Sequence, residues 1–195
     1  MEPRALSRYL REGDDPDLRR RRWVVGLSLL GAAMGQVVSL YQTGILKHLP
    51  DPPGPFDSDR VDASEYAYSR FDTPDALAMV VTYGVTACLA GAGGPDRPRT
   101  TPWLPVAAAL KTLYDTGVAA ELGREEWRDN RALCAYCQVA TVASAASLAL
   151  ALPEAVRAAR HLLGRDGADG SAGGPAHVQG AARRGRAVAA MAGAE

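Results

Sequence analysis

Residues 23–46 follow directly on Arg19-Arg20-Arg21-Arg22 and hold 24 consecutive positions without a charged side chain. About 20 apolar residues, rising 1.5 Å each in a helix, cross a bilayer. A cleaved signal peptide would have a shorter apolar core and a small-x-small cleavage site, which this stretch lacks. The arginines in front of it suggest a twin-arginine export signal, but the rest of that signal is missing. The run is therefore read as a retained membrane helix. Gly26, Gly31 and Gly35 would permit close helix contacts, although ordinary tolerance of glycine in membrane helices is the simpler expectation.

Three more apolar runs follow, at 76–91, 103–122 and 132–152. The second is entered through Thr73-Pro74-Asp75, where Thr73 or Asp75 can cap the helix and Pro74 suits its first turn. The fourth is expected to end at Pro153. The third carries Lys111 and Asp115, and each central charge costs about 2.5–3.5 kcal/mol on the insertion scale. They stand four apart, so they can offset each other on one face. A structural ion pair is the expectation here, rather than a functional path. Between the first two runs, residues 47–74 form a polar connection. Its proline cluster at 50–55 stops any helix, and a short amphipathic helix is expected at 61–70.

The predicted fold class is all-α, an integral membrane four-helix bundle. The mean hydropathy of −0.12 resembles that of a soluble protein, because polar ends and loops dilute the four runs. A soluble helical redox bundle is the reading this average would favour. The chain divides into a basic N-terminal segment at 1–22, a four-span domain at 23–155 and a tail at 156–195. Residues 164–195 are rich in Gly and Ala and are expected to be disordered.

The 22 basic and 22 acidic residues balance, so net charge indicates no nucleic-acid partner. Their distribution is more informative. Four spans put both termini on one side. The segments on that side hold fifteen basic residues, against six (Lys47, Arg60, Arg70, Arg124, Arg128, Arg131) in the other two connections. Cytoplasmic segments carry the Lys/Arg excess. The expected localisation is therefore a multi-pass cell-membrane protein with both termini cytoplasmic and residues 47–74 and 121–131 outside.

This orientation gives meaning to Cys134-Ala135-Tyr136-Cys137. A Cys-x-x-Cys alone also occurs in zinc sites and soluble redox folds. Here it would open the fourth span at its outer mouth, where the helix dipole favours thiolate and disulfides persist. Zinc commonly takes four Cys or His ligands. Only His48 could supplement the pair on that side, so no metal site is expected. Cys88 falls inside the second run and reads as a packed small residue.

The order Ser39-Leu40-Tyr41, Asp62-Ala63-Ser64, Phe71-Asp72-Thr73-Pro74-Asp75-Ala76-Leu77 and Cys134-Ala135-Tyr136-Cys137 resembles the bacterial vitamin K epoxide reductase family over residues 23–155. The resemblance implies a four-helix membrane bundle around a quinone, menaquinone or ubiquinone, used as co-substrate. It implies that Cys137 is the deeper, quinone-facing thiol and that Cys134 exchanges with a partner disulfide. Ser64 matches the family's loop serine, and Asp75 falls near its polar quinone-contacting position. Tyr136, Tyr41 and Tyr83 are candidate pocket residues, though an interfacial tyrosine is more often an anchor. The family usually carries two shuttle cysteines in the first outer loop. Their positions align with Phe56 and Ala63, so the resemblance implies a divergent member without that relay.

The expected function is a membrane quinone/thiol-disulfide oxidoreductase with Cys134 and Cys137 catalytic and Tyr136, Ser64, Asp75 and Tyr41 at the quinone. Membrane lipid and a thioredoxin-like protein outside the membrane are the expected partners. The alternative is a redox-degenerate quinone-binding or assembly subunit.

Overall fold

The computed structural model describes residues 2–68 and 73–164; the expected disordered tail and part of the Phe71–Leu77 motif lie outside them. Among the described residues the regular elements are all helices, with no strand and one isolated bridge between Phe56 and Leu133. The helices are α1 (Pro3–Glu12), α2 (Pro16–Gln42), α3 (Ser58–Asp62), α4 (Asp75–Gly91), α5 (Arg97–Thr100), α6 (Trp103–Asn130) and α7 (Ala135–Leu162), with a 3-10 turn at Glu65–Tyr68. The long helix α2 packs against α4 and α7, and α6 packs against α7 and α4. The all-helical class is as expected. By length and composition, α2 and α7 could each cross a membrane, while α4 is apolar but only 17 residues long.

The observed boundaries differ from the expected ones where polar side chains carry a helix past its apolar run. Helix α2 begins at Pro16, where the Asp15 carboxylate accepts from Leu18 N at 2.9 Å, so the four arginines lie inside it. It ends at Gln42 rather than residue 46, because Thr43 and a left-handed Gly44 turn the chain away. Helix α6 continues through Glu121–Asn130, a charged stretch of good helix formers expected to be loop. Pro153 does not end α7, which runs on to Leu162. The next residue, Glu154, is held by a buried bidentate pair with Arg97, both bonds 2.7 Å, and Ala155 and Ala158 are buried beyond it. These contacts keep the helix in place across the lost proline N–H. The expected helix at 61–70 is split between α3 and the 3-10 turn, with 69–70 outside the described residues.

Small and polar side chains fill the spaces between the long helices: Ser28, Gly31, Gly35, Thr86, Ala108, Thr112, Ala140, Ala143, Ser144 and Ser147 are all buried. Large apolar side chains face outward, including Trp23, Val81, Trp103, Leu110, Leu113 and Val142. The glycines of α2 are not merely tolerated. A Cβ on Gly31 would lie 2.5 Å from the Tyr83 ring, and one on Gly35 would lie 3.2 Å from Ala76 O, whereas Gly26 faces open space. Gly31 and Gly35 therefore set the α2–α4 approach. Lys111 and Asp115 form the expected ion pair at 2.7 Å, joined by Thr82 and Thr86 of α4.

A candidate redox site at the cysteine end

The site lies where α2 ends and α4 and α7 begin. Cys134 is the N-cap of α7, and its Sγ accepts from Cys137 N at 3.2 Å. Both cysteines are free thiols; Cys134 is fully buried and Cys137 half-buried. One helical turn separates them, so both thiols lie on one side of the helix start.

The 47–68 connection folds over Cys134. Phe56 is bridged to Leu133: Leu133 N donates to Pro55 O at 2.9 Å and Asp57 N to Leu133 O at 3.1 Å. Ser58 is fully buried, accepts from Ala135 N at 3.0 Å and donates to Asp51 Oδ1 at 2.6 Å. Leu49, Val61, Val38, Ala76 and Ala132 complete the apolar cluster around Cys134, with Tyr41, Tyr136 and Cys137 packed against it. Proline-rich as it is, this connection is ordered by Asp59, which accepts from Leu49 N at 2.8 Å and pairs with His48 Nδ1 at 2.5 Å.

Two buried carboxyls attend the thiols. The donor atoms of Asp62, Cys134 and Cys137 lie within 4.8 Å of one another. Asp62 is only 3 % exposed, and its Oδ2 has no hydrogen-bond partner among the described residues. Burial pushes the Asp62 carboxyl up to about 7; the facing Cys134 thiol opposes this, and the like charges of Asp75, Glu126 and Asp51 add to it. Glu126, in the charged extension of α6, accepts from Cys134 N at 3.2 Å and Gln138 Nε2 at 3.3 Å. Burial raises it to about 7 as well.

The other expected site residues are placed as follows. Tyr41 and Tyr136 flank the cluster, with their hydroxyls donated to Asp59 O at 3.1 Å and Pro50 O at 2.9 Å. Asp75 opens α4 and accepts from Gln42 Nε2 at 2.8 Å, tying α2 to α4 beside Ala76. Ser64 donates to Val61 O at 2.6 Å, closing the turn after α3. Tyr83 lies deeper, donating to Ala140 O at 2.5 Å and meeting Ser144 Oγ at 2.7 Å, one and two turns beyond Cys137. Ala63, aligned with a shuttle cysteine, is exposed. The polar loop residues beside the pair, among the described residues, are Ser58 and Asp62. Sequence reasoning passed over Ser58, Asp62 and Glu126 as redox neighbours, because a serine or an acid in a polar loop carries no signal until a fold buries it. The only available cue for Asp62 was its place in the quoted Asp62-Ala63-Ser64 stretch.

Comparison with protein-family models matches residues 22–152 to the vitamin K epoxide reductase family. No curated protein and no solved structure gives a significant match. The family's members are membrane-associated oxidoreductases that use a quinone as redox partner. With two thirds of its residues matched and a buried dithiol at the head of a long apolar helix, the chain belongs to the vitamin K epoxide reductase family.

Proposed function

We propose that this protein is a multi-pass membrane quinone/thiol-disulfide oxidoreductase whose redox centre is Cys134–Cys137. The observation that carries the reading is the pair itself, two free thiols one turn apart, closed over by a folded loop at the head of an apolar helix. The inverted packing supports a membrane setting. Small and polar residues fill the interior while Leu, Val and Trp face outward, a distribution that suits lipid rather than water. Trp23 and Trp103 stand at one end and Trp127 at the other, as interfacial anchors do. In this reading the four long helices form the membrane bundle, both termini are cytoplasmic and the cysteine end faces outward.

A bound quinone supplies a two-electron, two-proton acceptor. The residues of the chain prepare the donor. Cys137 is the half-buried thiol and faces the quinone, while Cys134 sits behind the loop. Cys137 faces Cys134 Sγ with its thiol and donates its backbone N–H to it, which favours a thiolate there. Burial and the neighbouring Asp62 carboxyl outweigh this and hold the Cys134 thiol above its usual pKa. Closing the Cys134–Cys137 disulfide gives up two electrons and two protons, which reduce the quinone to quinol. Exchange of Cys134 with a substrate dithiol, carried by a thioredoxin-like protein, then restores both thiols. Asp62 is the carboxyl in reach to hold a thiol proton during that exchange. Because Cys134 is fully buried, the 47–68 loop must open before a protein partner can reach it. Tyr41, Tyr136, Asp75 and Ser64 remain the candidates that shape the quinone pocket.

The test is quinone-dependent oxidation of a dithiol substrate in purified membranes. Cys137→Ala is expected to abolish it; retention of wild-type turnover rejects the reading. The burial of Cys134 and the absence of loop cysteines favour one rival, a redox-degenerate quinone-binding or assembly subunit. Full cellular function of a Cys134→Ser/Cys137→Ser double variant would establish that rival.

A further inference from the structure

Counting only cysteines and histidines leaves this end of the chain short of metal ligands. The fold supplies a carboxylate that the count omits. Asp62, on α3, converges with Cys134 and Cys137 so that one donor atom from each lies within 4.8 Å of the others. A tetrahedral zinc site holds sulfur and oxygen donors about 3.5–4 Å apart, given metal–ligand bonds of about 2.0–2.3 Å. The contraction needed is small. The second observation is the Asp62 side chain itself, which is 97 % removed from solvent with Oδ2 unpartnered among the described residues. The charged groups that face it, from α4, α6 and the loop, are Asp75, Glu126 and Asp51, all acidic. A buried group of two thiols and a carboxyl whose facing charged groups, among the described residues, are acidic calls for protons or a metal cation.

We propose that the reduced Cys134–Cys137 pair and Asp62 form a binding site for Zn2+. Two thiolates and one carboxylate are a suitable donor set for this ion, and three protein ligands leave the fourth tetrahedral position to water. His48 is exposed and its ring nitrogens are not among the converging donor atoms, so it is not counted as a ligand. Glu126 Oε2 is already used by Cys134 N and Gln138, so it orients the site from outside rather than joining it. Binding releases the thiol protons of Cys134 and Cys137, and that of Asp62 where it carries one; no electrons move. A disulfide has no thiolate to offer, so zinc and the Cys134–Cys137 disulfide exclude each other. The metal would thus hold the pair in its reduced form and block turnover.

The experiment uses the full chain without a histidine tag, in detergent or nanodiscs, with its thiols reduced. Zn2+ is titrated against a chromophoric chelator, and Co2+ serves as an optical probe of thiolate ligation. The expected result is one Zn2+ per chain and a cobalt–thiolate charge-transfer band, both lost on oxidation of the pair and unchanged in Cys88→Ser. Asp62→Asn keeps both thiols and is expected to weaken binding about tenfold or more, since even outer-sphere partners are worth 10–100-fold. Asp62→Ser serves the same purpose where the Asn variant does not fold. No uptake by the folded, reduced protein, or wild-type affinity in the folded Asp62 variants, overturns the proposal. The readout involves no quinone, so its failure leaves the redox reading standing, and loss of the redox reading leaves the metal site testable.

Discussion

The two ends of the helical assembly bury charge in opposite ways. At the arginine end, Arg21 of α2 is 4 % exposed and donates to the carbonyls of Ala90, Gly91, Ala92, Gly93 and Gly94 at 2.8–3.4 Å. Beside it Arg97 grips Glu154 with two bonds and caps Leu89, Ala90 and Ala92 with the rest of its fork. The guanidinium groups there serve the orphan carbonyls at the C-terminus of α4, where positive charge also suits the helix dipole. At the cysteine end, two acids are buried beside two thiols, and one carboxylate oxygen lacks a partner among the described residues. One end is saturated and its charges hold helices together. The other leaves Asp62 short of a partner among the described residues and its thiols free, the pattern of perturbed buried groups that redox chemistry would use.

The largest effect is expected from breaking the saturated end. Arg97→Leu leaves Glu154 buried without its partner and should cost about 3–5 kcal/mol, read as a lowered unfolding midpoint in detergent. Replacing both, Arg97→Leu with Glu154→Leu, should recover part of that loss. A double variant no better than the single one would mean that the arginine acts only through the carbonyls of α4.

The cysteine end should respond to pH instead. A carboxyl whose folded-state pKa is raised from 3.8 to about 7 contributes stability that is full below pH 4 and is lost as pH rises through 7. Asp62 and Glu126 share this sign. Unfolding measured from pH 4 to 8 should therefore show stability falling by on the order of 2–4 kcal/mol for each carboxyl. Asp62→Asn should remove about half of the slope; an unchanged slope would show that this carboxyl is not the one buried as an acid.

A smaller effect comes from the contact between the two ends. Gly31→Ala places a methyl group against the Tyr83 ring and should cost about 1–3 kcal/mol by overpacking. Tyr83→Phe, which gives up the bonds to Ala140 and Ser144, should be tolerated better together with Gly31→Ala than the sum of the single costs. Strict additivity would place the strain elsewhere.

The four long helices could be read from hydrophobicity, and the cysteine pair from its spacing at the head of the last. What could not be read was everything decided by polar side chains in three dimensions. The charges of 121–130 look like a loop, yet they extend α6 and bring Glu126 to Cys134. Pro153 looks like a stop, but the Arg97–Glu154 pair lies immediately beyond it and α7 continues. Gly31 looks like a residue the membrane merely permits, until a tyrosine 52 positions later occupies the space it leaves. Asp62 and Ser58 are two polar residues among many in a proline-rich loop, and only its closure over α7 separates them from the rest.

Arg21 also changes how the basic run in front of α2 is understood. A string of four arginines ahead of an apolar segment reads as a uniform block, each member free to meet phosphate headgroups. In the folded chain the third is withdrawn from that role, its fork filled by backbone oxygens. Under the proposed membrane topology the block would serve twice: as a topogenic signal during insertion, and afterwards as a basic cluster from which Arg21 is withdrawn into the helix packing. A scan replacing Arg19, Arg20, Arg21 and Arg22 one at a time should accordingly separate orientation from assembly, with all four acting alike on the first and Arg21 standing apart on the second.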